Sequence, residues 1–149
     1  MSTLIPHLVC PTCTQAIVFY KQIFHAEEVS RSAMPDGRLM HAELKIGGDS
    51  IMLCDDFPEM CGGQSRTPAA YGGSPITLNI VTPDCDALVK AAAEAGAKVT
   101  MPPADMFWGD RYAQFTDPFG HQWAVIQHLK KMSRAEIDAA GKALFGGPK

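Results

Sequence analysis

Two stretches, Leu4-Ile5-Pro6-His7-Leu8-Val9-Cys10-Pro11-Thr12-Cys13 and Ile76-Thr77-Leu78-Asn79-Ile80-Val81-Thr82-Pro83-Asp84-Cys85, start 72 residues apart and read alike: an extended apolar run, then a proline, then a cysteine. The same offset relates Gly37 to Gly109 and Gly48 to Gly120. Glycine and proline mark where a backbone must turn or stop, so punctuation at a constant interval signals two copies of one supersecondary unit. Two such copies usually build a shared site.

Length and composition bound the class. At 149 residues the chain fits one domain over 1–149, because halves of that size are insecure alone and gain from a common core. Hydrophobic residues make up 46% and charged residues 19%, with a net charge of −3; no basic stripe suits a phosphate backbone, so nucleic acid is not an expected partner. Met1 to Leu8 lacks the charged start and long apolar run of a signal peptide, and no apolar stretch approaches the roughly 20 residues that cross a bilayer. The expectation is a cytoplasmic protein with no membrane partner. Its five cysteines, odd in number and irregularly placed, read as free thiols.

Each copy reads as a strand, a helix and three strands. In the first, 4–10 is extended, and Thr12 with Gln15 suggests a capping box ahead of Cys13, Ala16, Ile17, Tyr20 and Phe24 at helical spacing. Strands follow at 27–32, 39–46 and 50–55, the last two joined by a Gly47-Gly48-Asp49 turn. In the second, 76–81 is a strand, Thr82-Pro83 opens a helix with Leu88, Val89, Ala92 and Ala95 on one face, and Gly96 closes it. Strands at 98–101, 111–116 and 122–127 complete the copy, with Asp117-Pro118-Phe119-Gly120 as a turn. The modules span 4–56 and 74–129, and the Gly-, Pro- and Ser-rich linker over 57–73 is long enough for a lid. Ser133 and Glu136 offer a second capping box, which places a C-terminal helix at 133–145 before a frayed Gly-Gly-Pro-Lys tail.

Paired modules of this kind, with Ala16-Ile17-Val18-Phe19-Tyr20, Gly96-Ala97-Lys98-Val99 and Asp117-Pro118-Phe119-Gly120-His121, resemble the vicinal oxygen chelate superfamily of glyoxalase I, bleomycin-binding resistance proteins, fosfomycin-modifying enzymes and extradiol dioxygenases. The runs Met40-His41-Ala42-Glu43-Leu44 and Asp105-Met106-Phe107-Trp108-Gly109-Asp110-Arg111-Tyr112 are more narrowly similar to its PhnB-like branch, and the likeness extends over about residues 4–128. The resemblance implies an α+β fold in which two βαβββ modules form a pseudo-symmetric cup, in a protein that pairs as a homodimer. It says less about chemistry, since one fold hosts many functions.

Metal-dependent members of that superfamily take ligands from the first and last strands of each module, positions that the landmarks place at Ile5, Met52, Thr77 and Ala124. None offers an imidazole, carboxylate or thiolate donor, so no cofactor is expected and the cup's partner is a small organic molecule. A shift of two residues keeps the same sheet face and brings in His7 and Asn79 as lining residues. The alternative is a glyoxalase-like lyase or isomerase with a displaced divalent-metal site at His7, His41 and Glu43, because His41 and Glu43 alternate on one strand face; the plain reading of those residues is a hydrogen-bonded polar face. His25 stands where the family has glycine after the first helix, and His121 and His128 read as surface residues.

In the second module Trp108 is a candidate stacking wall and Arg111 a candidate clamp for a carboxylate or phosphonate. Against this stands an Asp110–Arg111 ion pair with Trp108 sealing the cup or an interface. Phe107 and Trp123 are core candidates. A third reading is thiol redox chemistry at Cys10-Pro11-Thr12-Cys13, whose first thiol a helix N-terminus would acidify. Its plain counterpart is a buried thiol, since Cys13 matches Cys85, where there is no CxxC. No glycine-rich turn follows a strand in the way a nucleotide cofactor requires.

Overall fold

Alternation with period two builds the first sheet. In β3 (Leu39–Ile46) and β4 (Asp49–Asp55), Ala42, Leu44, Ile51, Leu53 and Asp55 are buried, while His41, Glu43, Met52 and Cys54 between them stay half-exposed. Such strands keep one face on a core. β1 (His7–Cys10) runs parallel to β4, and β2 (Glu27–Ala33) antiparallel to β3, giving the order β1-β4-β3-β2. Helix α1 (Cys13–Phe24) covers the inner face with Ala16, Ile17, Tyr20, Ile23 and Phe24, all buried. Aliphatic and aromatic side chains contribute about 1.5–3 kcal/mol each on full burial, which offsets much of the entropy lost in ordering the helix.

The second sheet repeats this order as β5-β8-β7-β6, from β5 (Thr77–Val81), β6 (Lys98–Asp105), β7 (Asp110–Thr116) and β8 (Gln122–His128). Helix α2 (Cys85–Glu94) buries Cys85, Val89 and Ala92, and α3 (Arg134–Phe145) follows β8. The computed structural model describes residues 1–146; the expected tail beyond Gly146 lies outside them. Its contacts divide the chain into two compact units, Met1–Ile76 with Asp117–His121, and Thr77–Thr116 with Gln122 onward. Among the described residues no helix is long and apolar enough to cross a membrane.

The repeat is visible in hydrogen bonds. His7 lies opposite Met52 in the parallel pair of the first sheet, and Asn79 opposite Ala124 in the second, each partner 72 residues on. The turns between the second and third strands match as well: Met34 and Arg38 close one with Gly37 at its tip, Met106 and Asp110 the other with Gly109.

Local differences from the sequence reading have identifiable causes. The capping box at Thr12 and Gln15 does not form: Thr12 precedes α1 in an extended conformation, but its side chain caps nothing. Asp55, at the end of β4, does the work, its Oδ1 accepting from Cys13 N–H at 2.8 Å and its Oδ2 from Leu39 N–H at 2.6 Å. Gln127, 72 residues later, accepts from Cys85 N–H at 2.9 Å, so each helix start is held by the last strand of its own module. Helix α2 begins at Cys85 rather than at Thr82-Pro83, because Asp84 is the N-cap and accepts from Ala87 N–H at 3.0 Å. β6 runs on through Pro102-Pro103 to Asp105; it is an edge strand, where a missing N–H is tolerated, and its pairing shifts register on either side of Met101. The capping box at Ser133 and Glu136 forms as expected.

The linker over 57–73 contains two 3-10 turns, Pro58–Met60 and Pro68–Tyr71, and belongs to the first unit. Asp56 holds it by accepting from the Ser65 hydroxyl at 2.6 Å and Arg66 N–H at 3.0 Å, and Phe57 and Pro68 are buried.

Candidate functional site

The pairing of strands assembles a row of side chains on the face of the first sheet opposite α1. Ser30 faces Glu43, Glu43 faces Met52, and Met52 faces His7, in four adjacent strands. The neighbouring row contains Ser32 opposite His41, and Cys54 opposite Val9. His7, His41 and Glu43 therefore share one sheet face, as the alternation predicts. Ser30, Ser32, Met52, Cys54 and Val9 join them through cross-strand register, which a single strand's sequence does not carry.

His7 is exposed as a residue, yet its ring is partly withdrawn from water. That desolvation, reinforced by the nearby positive charges of His41 and then Arg66, holds the imidazole pKa below 6.5. A neutral His7 at neutral pH follows, with one ring nitrogen to donate and one to accept. Arg66 is exposed and pairs with no carboxylate among the described residues.

The corresponding row of the second sheet reads Met101, Gln114, Ala124, Asn79. Asn79 is exposed and Ala124 is fully buried. Arg111, half-buried on β7, does not pair with Asp110. Its Nε and Nη2 donate to Asp86 at 2.8 and 3.0 Å and its Nη1 donates to Asp105 at 2.8 Å, so its paired donors are already taken by carboxylates of α2 and β6. Asp110 instead accepts from Trp108 Nε1 at 2.9 Å and bonds His128 Nδ1 at 2.8 Å. Trp123 is buried as expected, whereas Phe107 is half-exposed and packs edge-on against Trp108 and Phe145.

The cysteine pair is buried, and burial disfavours its thiolates. Cys10 and Cys13 are free and have no exposed surface. Desolvation first, then neighbouring thiols and Asp55, push Cys10 far above the usual thiol range, and Cys13, by burial and Asp55, up to about 12. The acidified thiol expected at the helix start is not found, because burial strips the thiolate of hydration, and Asp55, bonded to Cys13 N–H, adds negative charge beside it. His25 takes the left-handed conformation of a helix C-cap at φ 56°. His121 is tied down rather than loose, its Nε2 lying 2.8 Å from Val9 O.

The model of the Glyoxalase/Bleomycin resistance protein/Dioxygenase superfamily matches residues 4–125. The chain belongs to this superfamily. An uncharacterised protein of Mycobacterium tuberculosis is 46% identical over 135 residues, which cover 91% of this glyoxalase-superfamily chain and 79% of that one. An uncharacterised protein of Arabidopsis thaliana is 33% identical over 122 residues, 75% of this chain and 69% of the other. The solved structure of that Arabidopsis gene product superimposes with a TM-score of 0.66, covering 84% and 98% of the two chains. A PhnB protein of Bacillus cereus shares the fold at 18% identity, with a TM-score of 0.65 over 85% of this chain and 99% of that one.

Membership raises the divalent metal of the superfamily, and the residues present do not fit one. Of the landmark positions, Ile5 precedes β1, Met52 lies opposite His7 in the first sheet, and Ala124 lies opposite Asn79 in the second. Each sheet by itself offers little to a hard or borderline ion: an imidazole beside a thioether in the first, an amide beside a methyl group in the second. The displaced set fares no better. In the first sheet Met52 stands between His7 and Glu43, so the centre of the row offers a thioether rather than a third charged or imidazole donor. Among the described residues no three His, Cys, Asp or Glu side chains are grouped to hold a metal.

Proposed function

We propose that this glyoxalase-superfamily protein binds a small organic molecule directly on the open face of its first sheet, with His7, His41 and Glu43 as polar contacts and Met52 and Val9 as apolar ones. The single observation carrying the reading is the Ser30–Glu43–Met52–His7 row, in which adjacent strands present polar groups around an apolar centre but no converging ligand set. Placed polar groups fix the orientation of a small molecule in its site, and here three of them flank the apolar Met52. Neutral His7 and anionic Glu43 favour a ligand with hydrogen-bond donors. Asn79 serves the corresponding row of the second sheet. Arg111 is left out, because Asp86 and Asp105 occupy its donors. The reading takes the protein to be a cytoplasmic homodimer, as superfamily relationship and the frequency of two-fold dimers favour.

The test is a small-fragment screen by ligand-observed NMR in buffer containing EDTA, repeated on Glu43→Gln and His7→Ala. Fragments that bind with metal removed and weaken at least about tenfold in either variant, the size of one charge-assisted hydrogen bond, are the expected result. Fragments that need an added divalent ion, or that ignore both substitutions, contradict it.

A further inference from the structure

A second concavity lies in the other unit, away from the sheet faces. It is a groove of about 650 Å³ between the 106–110 turn and α3, lined by Phe107, Trp108, Ile137, Gly141 and Lys142, with Arg134 and Asp138 at its side. Helix α3 lies beyond residues 4–125, which the superfamily matches, while the 106–110 turn lies within them.

Its aromatic wall is fixed from several directions. Trp108 donates its indole N–H to Asp110, which also bonds His128, and Tyr112 meets the indole edge-on at 5.7 Å between ring centres. Phe107 stands at 88° to Trp108, 5.1 Å away. The turn bearing both rings is clamped to the chain that leads into α3: Gly109 O accepts from Leu129 and Lys130 N–H groups, and a Cβ at Gly109 would fall 2.3 Å from Lys130 O. On the opposite side, the absence of a side chain at Gly141 lets Phe107 approach the helix, since a Cβ there would meet the ring at 3.1 Å. A helix that accepts an internal glycine gives up roughly 1 kcal/mol relative to alanine, and here the space goes to an aromatic contact.

The charge around the groove is unlike that of the chain. Against a net −3 overall, the segment 128–146 carries Lys130, Lys131, Arg134 and Lys142 against Glu136 and Asp138. Arg134 and Asp138 pair with each other at 3.1 Å. Among the described residues Lys142 pairs with no carboxylate, leaving an uncompensated ammonium at the groove. We infer that this groove is a second small-molecule site, taking a flat aromatic carboxylate whose ring lies against Phe107 and Trp108 and whose carboxylate meets Lys142. The volume is in the range of small-molecule sites, and a fixed indole with a lysine among the lining side chains favours an aromatic acid over a neutral aromatic or a sugar. The inference does not depend on the sheet-face reading.

Titration with 2-naphthoate, followed by backbone amide shifts in NMR, tests it, with 2-naphthamide as the uncharged counterpart. Saturable shifts at 106–110 and along α3 are expected, with the acid binding more tightly than the amide. Lys142→Met, a change at an exposed position, should abolish that preference, weakening the acid about tenfold, the order of one charge-assisted contact, while leaving the amide unchanged. Trp108→Leu should weaken both. Shifts centred on His7 and Glu43, equal affinity for acid and amide, or indifference to Lys142→Met would each overturn the proposal. So would conversion of a dimer to a monomer by Trp108→Leu in sedimentation, which would make the groove an interface between copies.

Discussion

At the scale of single residues, the fold depends on two side chains that local sequence does not flag as caps. Asp55 is buried and satisfies backbone N–H groups from two separate segments, while the equivalent Gln127 satisfies one and is half-exposed. Removing a buried acceptor leaves donors without water to replace it, at about 1–3 kcal/mol, and loss of a helix cap costs about 0.5–2 kcal/mol. Asp55→Ala is therefore expected to lower unfolding stability by about 3 kcal/mol and Gln127→Ala by about 1 kcal/mol, read from urea denaturation midpoints at constant slope. Equal effects would show that the two positions are not graded by their bonds. The same residues mark where sequence reading stops. Thr12 and Gln15 have the right spacing for a capping box, but a carboxylate from β4, 42 residues from Cys13, reaches the helix start first. Spacing along a chain records i-to-i+3 partners and is silent on this one.

At the scale of elements, the edge strand β2 couples geometry to charge. Its pairing with β3 shifts register between Glu28 and Ser30, so Val29 is an extra residue and Glu28 and Arg31, three apart, emerge on the same face. There Glu28 takes Arg31 Nε at 2.6 Å and Lys21 Nζ of α1 at 3.2 Å. Charges and a bulge on an exposed edge also discourage pairing with other chains. The Arg31 hydrogen bond, aided by Lys21 and opposed by desolvation, lowers Glu28 from 4.5 to about 2. A carboxylate depressed in the folded state stabilises above its unfolded pKa, and that contribution fades as pH falls from about 4.5 toward 2. Glu28→Gln should flatten the acid limb of stability over this window, modestly because the pair is at the surface, and 1 M salt should shrink the difference. An unchanged acid limb would mean that the pair contributes nothing. The elements themselves were legible: glycine and proline punctuation located every strand and helix, because backbone restrictions act locally. The sequence reading ends β6 at Met101, whereas the strand continues through Pro102-Pro103 to Asp105, and only the sheet order reveals that it lies at an edge, where proline is tolerated.

At the scale of the whole molecule, the 72-residue repeat carries both the architecture and the argument about chemistry. It survives in the His7–Met52 and Asn79–Ala124 pairings, so equivalent positions within each sheet are known by hydrogen bonding. The sequence reading puts the landmark positions at Ile5 and Thr77 and allows a two-residue shift to His7 and Asn79, which keeps the same face because strands repeat every two residues; His7 and Asn79 are the residues paired with Met52 and Ala124. It also takes Phe107 as a core candidate and leaves Arg111 between a ligand clamp and a pair with Asp110, since neither α3 packing on Phe107 nor the reach of Asp86 and Asp105 is written in neighbouring residues. What remains is a superfamily member whose open face presents His7, His41 and Glu43 around Met52 without drawing them to a common point. The most direct measurement is elemental mass spectrometry of untagged protein purified without chelator, before and after incubation with zinc, manganese, nickel and iron(II). The account predicts well under one retained ion per chain for every metal, and no change on His7→Ala or Glu43→Gln. About one ion per chain, lost in either variant, would contradict it.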